Sequence, residues 1–235
     1  MTEEIFLEDP YIKSANATVM SVEEGGIELN RSIFYPTGGG QPGDTGFLRT
    51  PDGREVAIST TIKDRNSGRQ MHVPVEDATN LAVGDVVIME IDWRRRYRFM
   101  RMHTLLHLIC AAVDAEITGC QIGEEKSRID LNTEEKPDKE VIQARLNELV
   151  DRDILTRAEW ITDEELAAKP ELVKTMSVQP PSGFGKVRMM AVEGVNLQPC
   201  GGTHVTRTGE IGKLRVGKIE NKGKYNRRVN VHLED

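Results

Sequence analysis

The sequence predicts an α+β protein with two domains: a small N-terminal β-barrel over residues 1–92 and a larger α+β domain over residues 93–235. Three observations lead to this prediction. Short apolar segments separated by glycine turns fill the first part, helical spacing begins near Phe99, and β-like segments return from Lys186. Repeated short strands are typical of small barrels, and a mixture of helices and strands is typical of α+β domains.

The first domain begins with a predicted β-hairpin. Ala17–Val22 and Ile27–Leu29 are apolar segments, and Gly25-Gly26 lies between them. Paired glycines between two β-like segments favour a tight turn. Further strands are predicted at Glu55–Ile62 and Asp85–Ile91, and the barrel is expected to end near Asp92.

The second domain begins with a predicted amphipathic helix. Apolar residues recur there at a spacing of three to four, at Phe99, Met102, Leu105, Leu106, Ile109, Ala112 and Val113. A second helix is predicted over Pro137–Arg152, with Val141, Leu146 and Leu149 facing inward. A capping sequence at Thr162–Glu165 predicts a third, short helix. Strands are then expected at Val187–Val192, Gly209–Ile219 and Arg227–Leu233.

The composition is that of a folded protein without a membrane segment. Hydrophobic residues make up 38% and charged residues 29%, and no apolar run approaches the roughly 20 residues that span a bilayer. No leader pattern opens the sequence, and three scattered cysteines favour a reducing compartment. We therefore expect a cytoplasmic protein with no membrane contact and no obligate protein partner. The net charge of −7 argues against indiscriminate coating of nucleic acid.

Two distant fragments each carry a pair of metal-binding side chains. His103 and His107 are four positions apart on the first predicted helix, so they share one face. Cys200 and His204 have the same spacing within Gln198-Pro199-Cys200-Gly201-Gly202-Thr203-His204, where proline and glycines favour a tight loop. Imidazole and thiolate are ligands that Zn²⁺ prefers, so the four residues predict one zinc ion per chain.

Alternatives to this prediction remain open at the level of the sequence. An isolated pair of histidines on a helix is more often a core residue and an exposed one, and Cys200 could lie in an ordinary turn. Cys110, three residues beyond His107, is an alternative ligand. A zincin protease is excluded, because Thr104 stands where the HExxH motif needs glutamate. Four protein ligands would also close the site, as in structural zinc sites.

Four blocks in order resemble the free-standing alanyl-tRNA editing proteins, the AlaX family. These blocks are Pro36–Gly46, Arg101–His107, Cys200–His204 and Gly223–Arg228. The resemblance implies a barrel joined to an editing domain of the alanyl- and threonyl-tRNA synthetase type, with zinc at the four residues named above. It also implies hydrolysis in trans of the ester that joins serine, and sometimes glycine, to alanine tRNA. Leu105 departs from the motif, which more often has alanine, and this leaves the substrate preference open.

The resemblance also suggests which residues surround the substrate. In the longer relatives the glycine-rich loop reaches the editing pocket, which makes Gly39, Gly40, Gln41 and Asp44 candidates here. We assign catalytic roles to Thr104 and Gln41, and substrate binding to Gly39, Gly40, Asp44, Gly201, Gly202 and Thr203. Taken alone, the glycine run is equally typical of a flexible turn. It lacks the Lys-Ser/Thr ending of a P-loop, so nucleotide hydrolysis is not predicted.

Basic residues near the C-terminus are candidates for contact with mischarged alanine tRNA, the predicted partner. The matching block favours Lys224, Asn226, Arg227 and Arg228, and Lys222 is added from the basic cluster of the C-terminal strands. Phosphate groups attract such side chains, although a run of charges is more often a solvated face. Two other functions stay open: a zinc hydrolase of another small ester or amide, and a non-catalytic RNA-binding module with structural zinc.

Overall fold

A computed structural model of the chain describes residues 2–76, 80–176 and 185–234. The chain divides into two compact units, Met1–Arg98 and Phe99–Asp235. The first helix, predicted to open the second domain, therefore contributes its first residues to the first unit. We retain the limits 1–92 and 93–235 as a proposal for the domains.

The first unit is built around a closed β-barrel, as predicted. Its described residues contain eight strands, of which six close the barrel in the order β2-β3-β7-β6-β5-β8 and two short ones, β1 and β4, pair with each other. The strands are β1 (Glu3–Glu4), β2 (Ser14–Glu23), β3 (Gly26–Leu29), β4 (Arg31–Ser32), β5 (Gly46–Arg49), β6 (Glu55–Lys63), β7 (Gln70–Pro74) and β8 (Val86–Ile91). The predicted hairpin is present as β2 and β3, with Val22 opposite Ile27.

Alternation along the strands fills the barrel with apolar side chains. Val19, Leu29, Leu48 and Met89 are almost completely buried and belong to one core cluster. Side chains of a strand alternate between its two faces, so one residue in two lies inside. His72 of β7 is also fully buried, where its Nδ1 lies 2.9 Å from the carbonyl oxygen of Ile27.

The glycine-rich block forms a tight turn rather than a flexible loop. Gly38 and Gln41 exchange two backbone hydrogen bonds of 3.0 and 2.8 Å. Gly39 and Gly40 between them have φ values of +54° and +82°. Two successive residues with positive φ define the type I′ turn, which explains why both positions are glycine.

The second unit combines two antiparallel sheets with helices. A four-stranded sheet has the order β14-β15-β10-β9, and a three-stranded sheet has the order β11-β12-β13. Its strands are β9 (Glu116–Gln121), β10 (Ser127–Asn132), β11 (Thr156–Thr162), β12 (Lys186–Val192), β13 (Asn196–Pro199), β14 (Leu214–Gly223) and β15 (Asn226–Leu233). The three α-helices of the described residues are α1 (Trp93–Ala112), α2 (Lys139–Asp151) and α3 (Asp163–Ala167).

The second helix differs in detail from the prediction. It begins at Lys139, because the Asp138 side chain accepts hydrogen bonds from the first-turn amides and so acts as the N-cap. Val141, predicted to face inward, is 65% exposed, and Ile142 is buried in its place. Ile142, Leu146 and Leu149 have the spacing of four and three that a helix face requires. The third helix has the predicted capping box between Thr162 and Glu165.

The strand predicted over Gly209–Ile219 begins later than expected. Thr208–Ile211 forms a 3₁₀ helix, and β14 starts at Leu214. No helix in the described parts of the chain combines the length and the apolar character needed to cross a bilayer.

Candidate metal centre

The structure brings together the two pairs of predicted metal ligands. The side-chain donor atoms of His103, His107, Cys200 and His204 all lie within 4.8 Å of one another. His103 and His107 lie on α1, and the Cys200–His204 loop follows β13. The Cys200 Sγ atom lies 3.4 Å from His103 Nε2 and 3.3 Å from His204 Nε2. Within the described residues this four-donor group is one that could hold a metal ion, and all four side chains belong to the second unit.

Burial keeps the three imidazoles neutral. It lowers the pKa of His107 to about 3, with a further contribution from the positive charge of Arg188. Burial also holds the pKa values of His103 and His204 well below the usual range, and the neighbouring histidines lower them further. A metal ion is bound by the neutral imidazole, so protons do not compete for these nitrogens at neutral pH.

Cys200, in contrast, binds a metal ion in its charged thiolate form, which burial disfavours. Burial raises the pKa of its thiol to about 11, although a hydrogen bond from the Gly202 amide and the charge of Arg188 act in the other direction. A thiolate at this position therefore needs a cation, which a bound metal would provide. Cys110 lies outside the four-donor group, and its thiol donates a hydrogen bond of 3.2 Å to the Leu106 carbonyl.

Thr104 fixes the tautomer of His204. Its hydroxyl donates to the Met100 carbonyl at 3.0 Å, so its oxygen is left to accept from His204 Nδ1 at 3.1 Å. A proton on Nδ1 leaves the Nε2 lone pair of His204 directed towards Cys200. Thr104, predicted as a catalytic residue, is thus almost completely buried and contacts one histidine of the four-donor group.

Gln198 occupies the equivalent position beside His107. Its amide nitrogen lies 3.0 Å from His107 Nδ1, while its Oε1 atom is buried and has no hydrogen-bond partner among the described residues. Metal binding through Nε2 requires a proton on Nδ1 of His107. Turning the amide of Gln198 over lets Oε1 accept that proton, so that Gln198 Oε1 and His107 Nδ1 form a hydrogen bond with each other. The orphaned oxygen therefore fits a metal-bound His107.

Arg188 holds the loop that carries Cys200. Its Nη1 donates to the carbonyl oxygens of Cys200 at 2.8 Å and Gly202 at 3.0 Å. Neither Gly201 nor Gly202 has a positive φ, so unusual backbone angles are not the reason for glycine here. A Cβ atom on Gly201 would meet no atom within 4 Å, and this exposed residue leaves open space beside the loop.

Sequence reasoning missed the roles of Arg188 and Gln198. Both are buried polar residues, and Arg188 interrupts the largely apolar sequence of β12. A buried polar side chain needs a partner, so this interruption of the apolar pattern was the available signal. Gly202 and Thr203, predicted to bind substrate, are both buried in the loop.

The predicted residues of the glycine-rich block belong to the first unit. Gln41 is fully buried, and Gly39 and Gly40 form the tight turn described above. Asp44 is also buried, and its carboxylate accepts from the Tyr35 amide and from the Arg96 guanidinium. Both of its oxygens are engaged with the protein. A substrate role for these residues stays a prediction.

The predicted tRNA-binding residues lie on the β14–β15 hairpin, and several have protein partners. Arg228 donates two hydrogen bonds to Asp130, at 2.7 and 2.9 Å. The Arg227 guanidinium is bonded to the backbone carbonyls of Gly223 and Glu134. Lys222 forms an ion pair with Glu220, Lys224 lies over the Tyr225 ring, and Asn226 pairs with Asn132 on β10.

A basic groove of about 710 Å³ lies beside this hairpin, in the same unit. Lys136, Lys139, Arg215 and Lys218 are exposed cations on its walls, and Asp138 contributes one negative charge. Within the described residues, the ammonium groups of Lys136, Lys139 and Lys218 form no ion pair. A bulge in β14 turns Lys218 outward, because Gly217 and Lys218 together lie opposite the single residue Asn230 of β15.

Comparison with known proteins identifies the family of the chain. Residues 5–95 match the family described as tRNA synthetases class II (A), and residues 187–230 match the threonyl and alanyl tRNA synthetase second additional domain. The chain is 36% identical over 233 residues to the alanyl-tRNA editing protein AlaX-M of Saccharolobus solfataricus, covering 97% of this chain and 98% of that protein. The chain belongs to the AlaX family of alanyl-tRNA editing proteins. As a second AlaX-M relative, the protein of Methanosarcina mazei is 39% identical over 253 residues, covering 100% of this chain and 98% of the relative.

The chain also resembles a part of a much larger enzyme. The alanine–tRNA ligase of Sulfurisphaera tokodaii is 29% identical over 235 residues, which cover 93% of this chain but 25% of the ligase. The resemblance stated from the sequence motifs is therefore confirmed at the level of the family.

Proposed function

We propose that this chain is a zinc-dependent aminoacyl-tRNA deacylase that removes serine from mischarged alanine tRNA in trans, with glycine as a second candidate substrate. The observation that carries the proposal is the convergence of His103, His107, Cys200 and His204 in a member of the alanyl-tRNA editing family. Three imidazoles and one thiolate are the donor set that Zn²⁺ prefers. Because the substrate is formed and consumed during translation, the proposal includes a cytoplasmic location.

The reaction is the hydrolysis of an activated ester. Water adds to the ester carbonyl, and the bond between the carbonyl carbon and the ribose oxygen breaks, which releases the amino acid and a tRNA with a free terminal hydroxyl. A bound zinc ion would supply Lewis acidity and a point of attachment for the amino or hydroxyl group of the amino acid. Catalysis of such a reaction rests mainly on positioning and on stabilising the developing oxyanion.

The residues of this chain have distinct tasks in that scheme. Thr104 and Gln198 orient the imidazoles of His204 and His107, and Arg188 holds the Cys200 loop in place. We place the entry route of the amino acid beside Gly201, which is exposed and has open space next to it. Discrimination against alanine requires a polar group that pairs with the serine hydroxyl and is left unpaired with alanine.

Binding of the tRNA is assigned to the basic residues of the second unit. Of the residues predicted from the sequence, Lys222 and Lys224 are exposed on the hairpin, whereas Arg227 and Arg228 are engaged in holding it. The basic groove adds Lys136, Lys139 and Lys218, whose ammonium groups form no ion pair within the described residues. Phosphate groups of an acceptor stem are the ligands that such a groove would bind.

One observation favours a second function. All four metal-binding positions are filled by protein donors, and a site of this kind is typical of structural zinc. A non-catalytic RNA-binding module is therefore the alternative, and hydrolysis of another small ester is a further one.

One experiment separates these functions. The purified protein is incubated with seryl- and alanyl-tRNA of the alanine acceptor, and release of the amino acid is followed. Loss of serine with retention of alanine is expected. Binding of tRNA without release of either amino acid would instead favour the RNA-binding module.

The metal is tested with matched cysteine variants. Cys200→Ala is expected to reduce bound zinc well below one ion per chain and to abolish release of serine. Cys110→Ala, which removes a buried thiol outside the four-donor group, is expected to retain the ion. Equal zinc content in the two variants would contradict the assigned site.

A further inference from the structure

The three-stranded sheet of the second unit has two faces with different neighbours. On one face, Val187 and Met189 pack in an apolar cluster with Leu166 of α3. On the other face, Gln198 and Asn196 contact His107, through its Nδ1 and its carbonyl oxygen. We call this second surface, which carries Asn196 and Gln198, the metal face.

Strand register places three residues of the metal face in one row. Trp160 of β11 is paired with Arg188 of β12. The Cys200 amide donates to the Arg188 carbonyl at 3.0 Å and continues the register in which Met189 is opposite Pro199. Directly paired residues of antiparallel strands lie on the same face. The row Trp160–Arg188–Cys200 therefore runs across the metal face and ends at the four-donor group.

Trp160 is the member of this row that is left uncovered. It lies on an edge strand of the sheet and is 53% exposed. Within the described residues no other aromatic ring stacks on it. Two strand spacings separate its backbone from that of Cys200, a distance of roughly 10 Å. An indole of this size with open space above it is a surface for another planar group.

We propose that Trp160 is the platform on which the 3′-terminal nucleobase of the tRNA stacks while the aminoacyl ester lies at the four-donor group. This inference rests on the proposed function and deepens it. The base and the ester of a terminal aminoacyl nucleotide are joined through one ribose ring, so the two groups reach neighbouring sites. Arg188 lies between these sites in the row. Stacking on an aromatic side chain tolerates any base, because every base has a planar π-face.

A first test uses turnover. Trp160→Ala is expected to lower kcat/KM for seryl-tRNA by tenfold or more, mainly through KM, whereas Trp160→Phe retains most of the activity. Val141→Ala serves as the matched control, because Val141 is also an exposed apolar side chain and lies on α2. Zinc content is measured for each variant and is expected to be unchanged.

Removal of the base gives the sharpest form of this test. A seryl-tRNA whose terminal nucleotide lacks its base is expected to react as slowly with the wild-type protein as the intact substrate does with Trp160→Ala. Combining the two changes should then cause little further loss. Additive losses would show that the base and the indole do not interact, and would overturn the inference.

A second test is independent of turnover. The chain contains two tryptophans, Trp93 and Trp160, so Trp93→Phe leaves Trp160 as the only reporter. A non-hydrolysable analogue, adenosine with serine attached through an amide, is expected to quench the fluorescence of Trp160. The same analogue without the base is expected to leave this fluorescence unchanged. Absence of quenching at saturation would overturn the inference even if wild-type protein releases serine. Conversely, if wild-type protein releases no serine, the proposed function fails, and quenching by the analogue still decides the role of Trp160.

Discussion

The buried ion pair between Asp44 and Arg96 leads to a quantitative prediction about the stability of the first unit. The two side chains are 2% and 0% exposed. Arg96 Nε lies 2.9 Å from Asp44 Oδ2, and Nη2 contacts the same oxygen. The guanidinium also donates to the carbonyl oxygens of Pro10 and Ile33. Asp44 in turn accepts from the Tyr35 amide at 2.6 Å.

Asp44→Ala removes the only anion in direct contact with this guanidinium among the described residues. It leaves a buried positive charge without an acid and the Tyr35 amide without its acceptor. Removing one partner of a buried pair costs about 3–5 kcal/mol. Glu3→Ala breaks the exposed pair with Arg31, whose side chains are 59% and 43% exposed, and is expected to cost about 1 kcal/mol or less.

Urea unfolding, followed by the fluorescence of Trp93 in a Trp160→Phe background, measures both variants. Adding Arg96→Met to Asp44→Ala removes the stranded charge, so the double variant should lose less stability than the sum of the single variants. The reasoning is wrong if Asp44→Ala lowers the free energy of unfolding no more than Glu3→Ala does.

The double variant also tests the predicted substrate role of Asp44. If stability recovers and release of serine does not, a role beyond the ion pair is supported.

Three further predictions concern other parts of the chain. Gln198→Leu should weaken zinc binding about 10- to 100-fold in competition with a chelator, and an unchanged affinity would mean that the amide does not orient His107. Burial lowers the pKa of His72 from 6.5 to about 4. The free energy of unfolding is therefore highest above pH 6.5, where His72 is neutral in both states, and it decreases by about 3 kcal/mol in total as the pH falls towards 4. In urea titrations at a series of pH values, His72→Gln should lack this dependence, and parallel curves for the two proteins would contradict it. Lys218→Glu should weaken tRNA binding and reduce its dependence on salt, whereas equal salt slopes would exclude the groove as a phosphate site.

Local patterns predicted the parts of the fold that local forces determine. His103 and His107 could be placed on one helix face because a helix repeats every 3.6 residues. The capping box of α3 could be predicted because its partners, Thr162 and Glu165, are three residues apart. The error at Val141 arose because Ile142 is adjacent to it, and the apolar spacing alone did not decide between the two.

Features that depend on distant pairing could not be predicted in this way. The segments Glu116–Gln121 and Ser127–Asn132 are short and polar. Ser127–Asn132 forms a strand against β15, about a hundred residues later, and Glu116–Gln121 pairs with the strand so formed. The row that joins Trp160 to Cys200 depends on the register of three strands, which no local pattern contains. The partners of Asp44 and Gln198 lie 52 and 91 residues away along the chain.

The origin of the four metal-binding residues has a consequence for folding. Two donors lie on α1, and the other two follow β13, 97 residues beyond His103 in the case of Cys200. An ion held by both pairs is a cross-link across that loop, and a covalent link of about 100 residues restricts the unfolded chain by about 4–5 kcal/mol. The ion would therefore act as a reversible cross-link that stabilises the folded state. The supply of metal would then set how much of the second unit is folded, independently of any reaction that takes place there.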